Sequence, residues 1–148
     1  MIDRVARNHL AQSARWLVGG RMTNWQFEDG APTSSDPAVK EIFDKAFWMM
    51  YSDFPEYRLS GAARLCPELR NTAARSILFL KSGLPYEWPV LSRFAAARLV
   101  FLNLLTLGFA GRRYLARAAS TGDLSLWPFR NAEQYASALQ RPPYLGGL

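Results

Sequence analysis

Apolar residues recur at helical spacing along most of the chain, and this pattern predicts a mainly α fold. The first helix is predicted over 2–18 and ends at Gly19-Gly20. Its inward face is predicted to comprise Ile2, Val5, Ala6, His9, Leu10, Ser13, Trp16 and Leu17. A short second helix that carries Trp25 is predicted from Thr23, because Thr-Asn-Trp-Gln has the form of a capping box. Asp36 and Pro37 predict the start of a third helix, since Asp caps helices and Pro suits their first turn.

The third predicted helix has a clear inward stripe, formed by Val39, Ile42, Phe43, Ala46, Phe47 and Met50. It is predicted to stop at Phe54-Pro55. Further helices are predicted from Pro67 to about Ser82, from about 92 to 118, and from a cap at Asn131. The last of these is predicted to face inward with Ala132, Tyr135, Ala136 and Leu139. The chain is therefore expected to form a single helical domain over 1–148, with five or six helices and a tail at 141–148.

The most apolar stretch, Phe94–Gly111, is predicted to be the central helix around which the others pack. Its uncharged part, Leu99–Gly111, would span about 20 Å as a helix, which is shorter than the roughly 30 Å hydrocarbon core of a bilayer. Extension back to Phe94 places Arg98 inside the span, at a cost of about 2.5–3.5 kcal/mol. A core helix is the preferred interpretation, and a helix in or on a membrane is the alternative.

Two Trp-Pro segments flank that stretch, one over 84–89 and the other over 124–129. Both are predicted to be extended, and they could pair as a minor two-stranded β ribbon. Because each contains Pro, such pairing would be limited to strand edges.

The charge of the chain is uneven. The 148 residues carry a formal net charge of +6, and residues 81–148 contain eight Lys or Arg against three Asp or Glu. Arg, which pairs with carboxylate and phosphate in a bidentate manner, outnumbers Lys fifteen to three. This composition favours an acidic protein partner, with an anionic membrane or nucleic acid as alternatives.

The cysteine content and the N-terminal sequence indicate a cytoplasmic protein. Cys66 is the single cysteine, which excludes an internal disulfide and suits a reducing compartment. No apolar N-terminal run precedes a small-residue cleavage site, so no secretory signal is expected.

Catalytic motifs are absent from the sequence: it contains no P-loop, dinucleotide-binding glycine pattern, HExxH, CxxC or GxSxG. His9 falls on the apolar face of the first helix and is interpreted as a core residue. Cys66 precedes the helix at Pro67, where a thiol can become nucleophilic, and it is the one candidate for a catalytic residue. Glu41 and Asp44 share a helix face but each has a lysine partner, so neither a metal site nor a cofactor is predicted.

The predicted contact residues are Arg112, Arg113, Arg117 and Trp48. The three arginines follow the apolar stretch and could meet an acidic surface or a phosphate backbone, although they also complement the negative end of a helix dipole. Trp48 falls opposite the apolar stripe of its helix, so it is either covered by another segment or a contact residue.

Three sequence blocks carry a resemblance: MTNWQFED at 22–29, SILFLKSGLPYEWP at 76–89 and GDLSLWPF at 122–129. In this order they resemble blocks in a set of small, uncharacterised bacterial proteins. The resemblance covers about a fifth of the chain. It implies a bacterial, cytoplasmic origin and assigns no catalytic residue.

These observations favour a non-enzymatic bacterial protein-interaction module, such as an immunity-type or regulatory partner, that uses an arginine-rich surface. A membrane-surface protein anchored by the 94–111 stretch is the first alternative. An enzyme of unrecognised type, with Cys66 as the residue to test, is the second.

Overall fold

A computed structural model describes residues 1–90, 111–112, 116 and 122–140, and these residues are mainly α-helical. The α-helices are α1 (Arg4–Val18), α2 (Asn24–Asp29), α3 (Pro37–Ile42), α4 (Pro67–Lys81) and α5 (Ala132–Gln140). The mainly α prediction is confirmed. Most of the predicted central helix at 92–118, including nearly all of Phe94–Gly111, lies outside the described residues, as does the 141–148 tail.

The two short helices α2 and α3 begin at the positions that their predicted capping residues indicated. The Thr23 hydroxyl accepts from the Gln26 N–H, and the Gln26 side chain accepts from the Thr23 N–H, which completes the capping box of α2. The Asp36 carboxylate accepts from the Ala38 N–H at 3.0 Å and caps α3, with Pro37 as its first residue. Each short helix is thus defined locally by side chains that satisfy its first N–H groups.

The helix that begins at Pro37 changes its winding as it proceeds. After α3, residues Phe43–Phe47 form a π-helical turn and Trp48–Met50 form a 3₁₀ turn. The predicted inward stripe is confirmed except that Phe43 is only half-buried, where it stacks on Phe27 with ring centroids 5.4 Å apart. The change of winding ends the element at Met50, before the Phe54-Pro55 sequence that was expected to stop it.

The core lies between α1 and α4, the two longest described helices, which pack along each other. Their contact buries Leu10, Leu17, Ile77 and Leu80 among others, and aromatic rings extend it on both sides. On one side, Phe27 packs edge-on to Phe47. Because α1 and α4 are far apart in sequence, this packing joins the two ends of the segment 1–90.

A buried ion pair crosses this core. Arg7 and Asp36 are both essentially inaccessible to solvent, and two N–H···O hydrogen bonds join them, from Nε to Oδ2 at 2.6 Å and from Nη2 to Oδ1 at 3.0 Å. The remaining Arg7 nitrogen, Nη1, donates to the Leu84 carbonyl at 2.7 Å, and the guanidinium lies over the Phe79 ring. Arg7 therefore connects α1, the start of α3 and the chain that follows α4.

The inward face of α1 differs from the predicted one. Ala6, Leu10, Ser13 and Leu17 are buried as expected, but the helix is turned so that Arg7, Ala11 and Ala14 also face the core. The prediction of His9 as a core residue is wrong, because His9 is exposed, together with Ile2, Val5 and Trp16. This rotation of α1 follows from Arg7, because its ion pair with Asp36 brings an otherwise polar face of the helix inward.

The two Trp-Pro segments meet, but not as a β ribbon. Within the described ranges no strand forms, and the only bridge-type backbone pairing joins Thr23 to Arg58. Instead, the Trp88 indole donates to the Pro128 carbonyl at 2.9 Å, and the Trp127 indole donates to the Tyr86 hydroxyl at 3.1 Å. Leu124–Leu126, predicted to be extended, forms a 3₁₀ turn that begins at the Asp123 cap.

The last helix, α5, also faces the core differently from the prediction. Ala132, Ala136 and Leu139 are exposed, and Ala138 is its one buried residue. Tyr135 is half-buried against Phe129, with ring centroids 5.3 Å apart. The predicted cap is confirmed, because the Asn131 side chain accepts from the Gln134 N–H at 2.9 Å.

No described helix has the length and apolar character that crossing a membrane would require.

The Arg7–Asp36 pair generates a prediction about stability. Arg7→Met leaves the Asp36 charge buried without its partner and is expected to lower the free energy of unfolding by roughly 3–5 kcal/mol. Arg7→Met combined with Asp36→Asn removes both charges while retaining a helix cap, so the double variant should lose clearly less than the sum of the single variants. Urea denaturation of the four proteins measures this coupling, and strictly additive losses would contradict it.

The same pair generates a prediction about pH. Burial alone would raise the pKa of Asp36, but hydrogen bonds from Arg7 and from the Asp3 and Ala38 N–H groups outweigh burial and hold the pKa below its ordinary value of 3.8. A carboxyl group with a lowered folded-state pKa stabilises the protein fully above pH 3.8, and this contribution is lost as the pH falls through the folded value.

The urea midpoint of the wild-type protein should therefore fall as the pH is lowered below about 4, and the fall should be smaller in Asp36→Asn. The pKa of Asp3 is also lowered, mainly by the Ala6 N–H, so part of the dependence will remain in the variant. Titration of the Asp36 carboxyl carbon by NMR in the wild-type protein measures the folded-state pKa of Asp36 directly. A pKa at or above the ordinary value of 3.8 would refute this explanation of the pH dependence.

Candidate interaction surface

Four large apolar side chains are exposed around a single loop. They are Trp25 on α2, Trp48 and Met49 in the 3₁₀ turn, and Phe54 in the loop that follows. Phe54 is 96% exposed and Met49 is 73% exposed, while each tryptophan shows a little under half of its surface. We call these four residues the aromatic patch. Apolar side chains gathered in this way are typical of contact surfaces, whereas single exposed ones are ordinary.

Asp53 holds the aromatic patch together. The Trp48 indole N–H lies 3.1 and 3.2 Å from the two carboxylate oxygens of Asp53, and the Trp25 indole N–H donates to the Asp53 backbone carbonyl at 3.2 Å. Both indoles are therefore oriented by the residue that immediately precedes Phe54. Their polar edges are engaged, which leaves the apolar faces as the part available for contact.

The loop that carries Phe54 is fixed by Asn24. The Asn24 side chain is fully buried and donates to the carbonyls of Ser52 and Pro55, both at 2.9 Å, while its oxygen accepts from the Tyr57 N–H at 2.9 Å. The backbone N–H of Asn24 also donates to the Tyr57 carbonyl. Four hydrogen bonds from one residue thus set the path of the loop, so Phe54 is held outward on a fixed loop.

Further hydrogen bonds hold the same loop beside those of Asn24. The Thr23 hydroxyl donates to the Glu56 carboxylate at 2.7 Å, and Arg58 donates to the carbonyls of Gly20 and Arg21 at the end of the α1–α2 connection. These bonds hold the C-terminal part of the loop against Thr23 and the connection between α1 and α2.

A partly buried acidic group, Glu28, lies close to Tyr51 and Asp53. Burial raises the pKa of Glu28, and burial together with the nearby Glu28 charge raises the pKa of the Tyr51 hydroxyl. Glu28 Oε1 and the Tyr51 hydroxyl oxygen have no well-formed hydrogen bond to any described residue, although the two groups are close enough to interact. The segment that carries the aromatic patch is acidic overall, because residues 22–57 contain seven carboxylates and two lysines.

Trp48 is the one predicted contact residue whose surroundings are described in full. It is 47% exposed and forms part of the aromatic patch. Arg112 is also exposed and lies in helical backbone, whereas Arg113 and Arg117 lie outside the described residues. The structure therefore places Trp48 beside the Asp53 carboxylate.

Sequence reasoning missed Trp25, Met49, Phe54 and the role of Asn24. Phe54-Pro55 was interpreted only as a helix stop, and Trp25 only as a member of a short helix. A signal was nevertheless present, because two Trp, a Met pair and a Phe-Pro occur within residues 25–55, which also carry six of the twelve carboxylates. Their convergence depends on the fold of the 52–57 loop onto α2, which no local pattern specifies.

Cys66 shows no sign of an activated nucleophile. It is exposed and occupies the N-cap position of α4 without a side-chain capping bond. The pKa of Glu68 is lowered, first by its own backbone N–H and then by a hydrogen bond from the Cys66 thiol. The group beside the thiol is thus a carboxylate, and no hydrogen bond in the described part of the chain joins Cys66 to His9. The described residues also contain no cluster of His, Cys, Asp and Glu suited to a metal ion.

The expected lysine pairs do form along the helix that begins at Pro37. Lys40 contacts Asp44 at 2.6 Å and Lys45 contacts Glu41 at 2.5 Å. Both pairs join residues four apart, as the interpretation of these carboxylates as salt-bridge partners predicted.

The clamp formed by Asn24 generates a prediction. Asn24→Ala removes three side-chain hydrogen bonds and leaves two carbonyls and one N–H without their partner, so it should lower the free energy of unfolding by about 2–4 kcal/mol. Asn71→Ala, at an exposed position of α4, is the matched control and should change it by less than about 0.5 kcal/mol. Urea denaturation compares the two, and equal effects would show that Asn24 does not fix the loop.

Comparison of the chain with protein-family models, with curated proteins and with solved structures finds no match in any of the three.

Proposed function

We propose that this protein is a non-enzymatic interaction module that binds another protein, as an immunity-type or regulatory partner does, and that the aromatic patch is its main contact surface. The observation that supports this most directly is Phe54, which is 96% exposed on a loop that Asn24 fixes from beneath. A large apolar side chain held in water on a fixed loop gains its hydrophobic free energy only when a partner covers it.

The fixed loop matters for affinity. Association is opposed by the conformational entropy that interface loops and side chains lose on binding, and a preorganised loop has already lost it. Trp and Met are enriched in protein interfaces, and Trp is enriched among the few residues that dominate binding energy. The aromatic patch combines two oriented indoles with Met49 and Phe54, which fits the centre of such an interface.

The arginines at 112, 113 and 117 remain a proposed second contact, for an acidic surface of the partner. The net charge of +6 supports an acidic partner in general. Since the aromatic patch itself lies among carboxylates, the partner segment that covers the patch should be apolar with a basic rim.

A paired set of variants tests the proposal. Met49→Ser with Phe54→Ser removes the two most exposed apolar groups of the patch. Val5→Ser with Leu139→Ser removes two exposed apolar groups elsewhere and is the matched control. A partner captured by the wild-type protein from the cytoplasm of its own cell should be retained by the control and lost by the patch variant. With the purified partner, the patch variant should bind at least about tenfold more weakly.

Equal binding of the partner by the patch variant and the control would overturn the aromatic patch as the contact surface. Vesicles of anionic lipid distinguish the membrane-surface alternative. Retention of the wild-type protein on such vesicles, weakening with salt and lost in Met49→Ser with Phe54→Ser, would mean that the patch contacts lipid and not protein.

A further inference from the structure

A second candidate site is an open cleft on another part of the described surface. It has a volume of about 790 Å³ and lies between the end of α1, the 59–64 segment and one face of α4. Three arginines line it, one from each wall: Arg15, Arg64 and Arg70. We call it the arginine cleft. Its volume is within the range of pockets that hold small organic ligands, roughly 300–1,000 Å³.

The arginine cleft has no carboxylate among its lining residues. Within the described part of the chain, the guanidinium groups of Arg64 and Arg70 form neither a hydrogen bond nor an ion pair. The sequence outside the described residues contains no Asp or Glu side chain that could supply one. Two unpaired guanidiniums beside a third cation form a site where an anion would be bound.

Five other described arginines contrast with these two, whereas Arg21 is exposed as they are but lies outside the cleft. Arg4, Arg58 and Arg75 donate to backbone carbonyls, and Arg7 and Arg130 pair with carboxylates. Structural roles of this kind explain those five. They do not explain Arg64 and Arg70, both of which are exposed at the cleft.

One of the two helix ends at the arginine cleft favours an anion. The C-terminal end of α1 opposes an anion, although the carbonyls of Arg15, Trp16 and Leu17 there already accept backbone N–H groups. Pro67, the first residue of α4, lines the opposite wall, so the positive end of that helix dipole adjoins the cleft. Glu68, which follows it, is engaged by its own N–H and by the Cys66 thiol.

The floor of the cleft can accept an organic group. Val18, Leu59, Ala74 and Ile77 contribute apolar surface, while Ser60 and Asn71 add polar side chains at the edge. Gly61 has a positive φ of 57°, and a Cβ built on it would meet nothing within 4 Å, so glycine is required there for its backbone conformation and not for space. That conformation turns the 59–64 segment so that it forms one wall with Arg64.

We propose that the arginine cleft binds an organic phosphate of about nucleotide size. The planar guanidinium matches phosphate oxygens in a bidentate manner, so Arg64 and Arg70 suit the phosphate groups of a diphosphate, and Arg15 adds a further positive charge beside them. The apolar floor packs against the organic part of the ligand. This binding site is independent of the aromatic patch and does not rest on the proposed function.

Calorimetric titration of the full chain at low salt tests the proposal with four probes: ADP, inorganic pyrophosphate, citrate and adenosine. ADP should bind, and adenosine, which lacks the phosphates, should not. Pyrophosphate binding as tightly as ADP would assign the affinity to the phosphates alone, and weaker binding would show that the apolar floor contributes. Citrate, a carboxylate anion of similar charge, should bind more weakly than ADP.

Arg64→Gln with Arg70→Gln should weaken ADP binding by roughly a hundredfold or more, because two guanidiniums are removed and each charge-assisted hydrogen bond contributes about tenfold or more. Arg21→Gln, an exposed arginine outside the cleft, is the control for general charge attraction and should leave the affinity unchanged. Both variants remove surface charges without a described partner, so both should fold. Circular dichroism checks this.

Three results would overturn the proposal: no binding of ADP or pyrophosphate by the wild-type chain, adenosine binding as tightly as ADP, or an equal loss in Arg21→Gln. The patch variant Met49→Ser with Phe54→Ser should bind ADP normally. A failure of the anion-binding proposal would therefore leave the proposed function of the aromatic patch unaffected. A failure of the proposed function would likewise leave the anion-binding proposal unaffected.

Discussion

The buried pair of Arg7 and Asp36 is the constraint on which the described fold depends. Two charges without solvent contact are tolerated only when they are paired and hydrogen-bonded, and here all three guanidinium nitrogens of Arg7 and both carboxylate oxygens of Asp36 form hydrogen bonds. Asp36 accepts from Arg7, from the Asp3 N–H and from the Ala38 N–H, while Arg7 also reaches the Leu84 carbonyl. One interaction therefore caps α3, joins it to the start of α1 and fixes the chain after α4.

This pair also sets the rotation of α1. A helix that must bring Arg7 inward cannot also bury His9, because the two residues are two positions apart and point in different directions. Asp3 reinforces the same arrangement, since its carboxylate caps α1 through the Ala6 N–H and also accepts from the Ser34 hydroxyl. The loop before α3 is thus held against α1 by hydrogen bonds that involve Asp3, Ser34 and Asp36.

The sequence predicts the elements of this fold better than it predicts their faces. Caps are local, so Thr23, Asp36, Pro37 and Asn131 identify helix starts from a few neighbouring residues. Which side of a helix is buried depends on distant partners. For α1 the apolar pattern favoured His9 and Trp16, and a polar residue with a buried partner 29 positions away prevailed.

The candidate sites show the same limit. Trp48 was identifiable as an outward tryptophan, because that judgement needs only the period of one helix. The aromatic patch was not identifiable, since it requires Asn24 to draw the 52–57 loop onto α2. The arginine cleft was equally hidden, because its three cations come from segments that are separated by up to 55 positions and their meeting is decided by the packing of α1 on α4.

The distribution of charge connects the two sites. Residues 22–57 hold seven carboxylates and two lysines, so the remainder of the chain carries more than the whole net charge of +6. All twelve carboxylates lie in the described ranges, and several are engaged in hydrogen bonds and ion pairs, such as Asp36, Asp53 and Asp123. Twelve carboxylates cannot neutralise eighteen Lys and Arg side chains, so six positive charges must be balanced by mobile ions or by a bound anion. Arg64 and Arg70 have no partner among the described residues, and a cleft that presents them over an apolar floor is a place where a bound anion would be preferred.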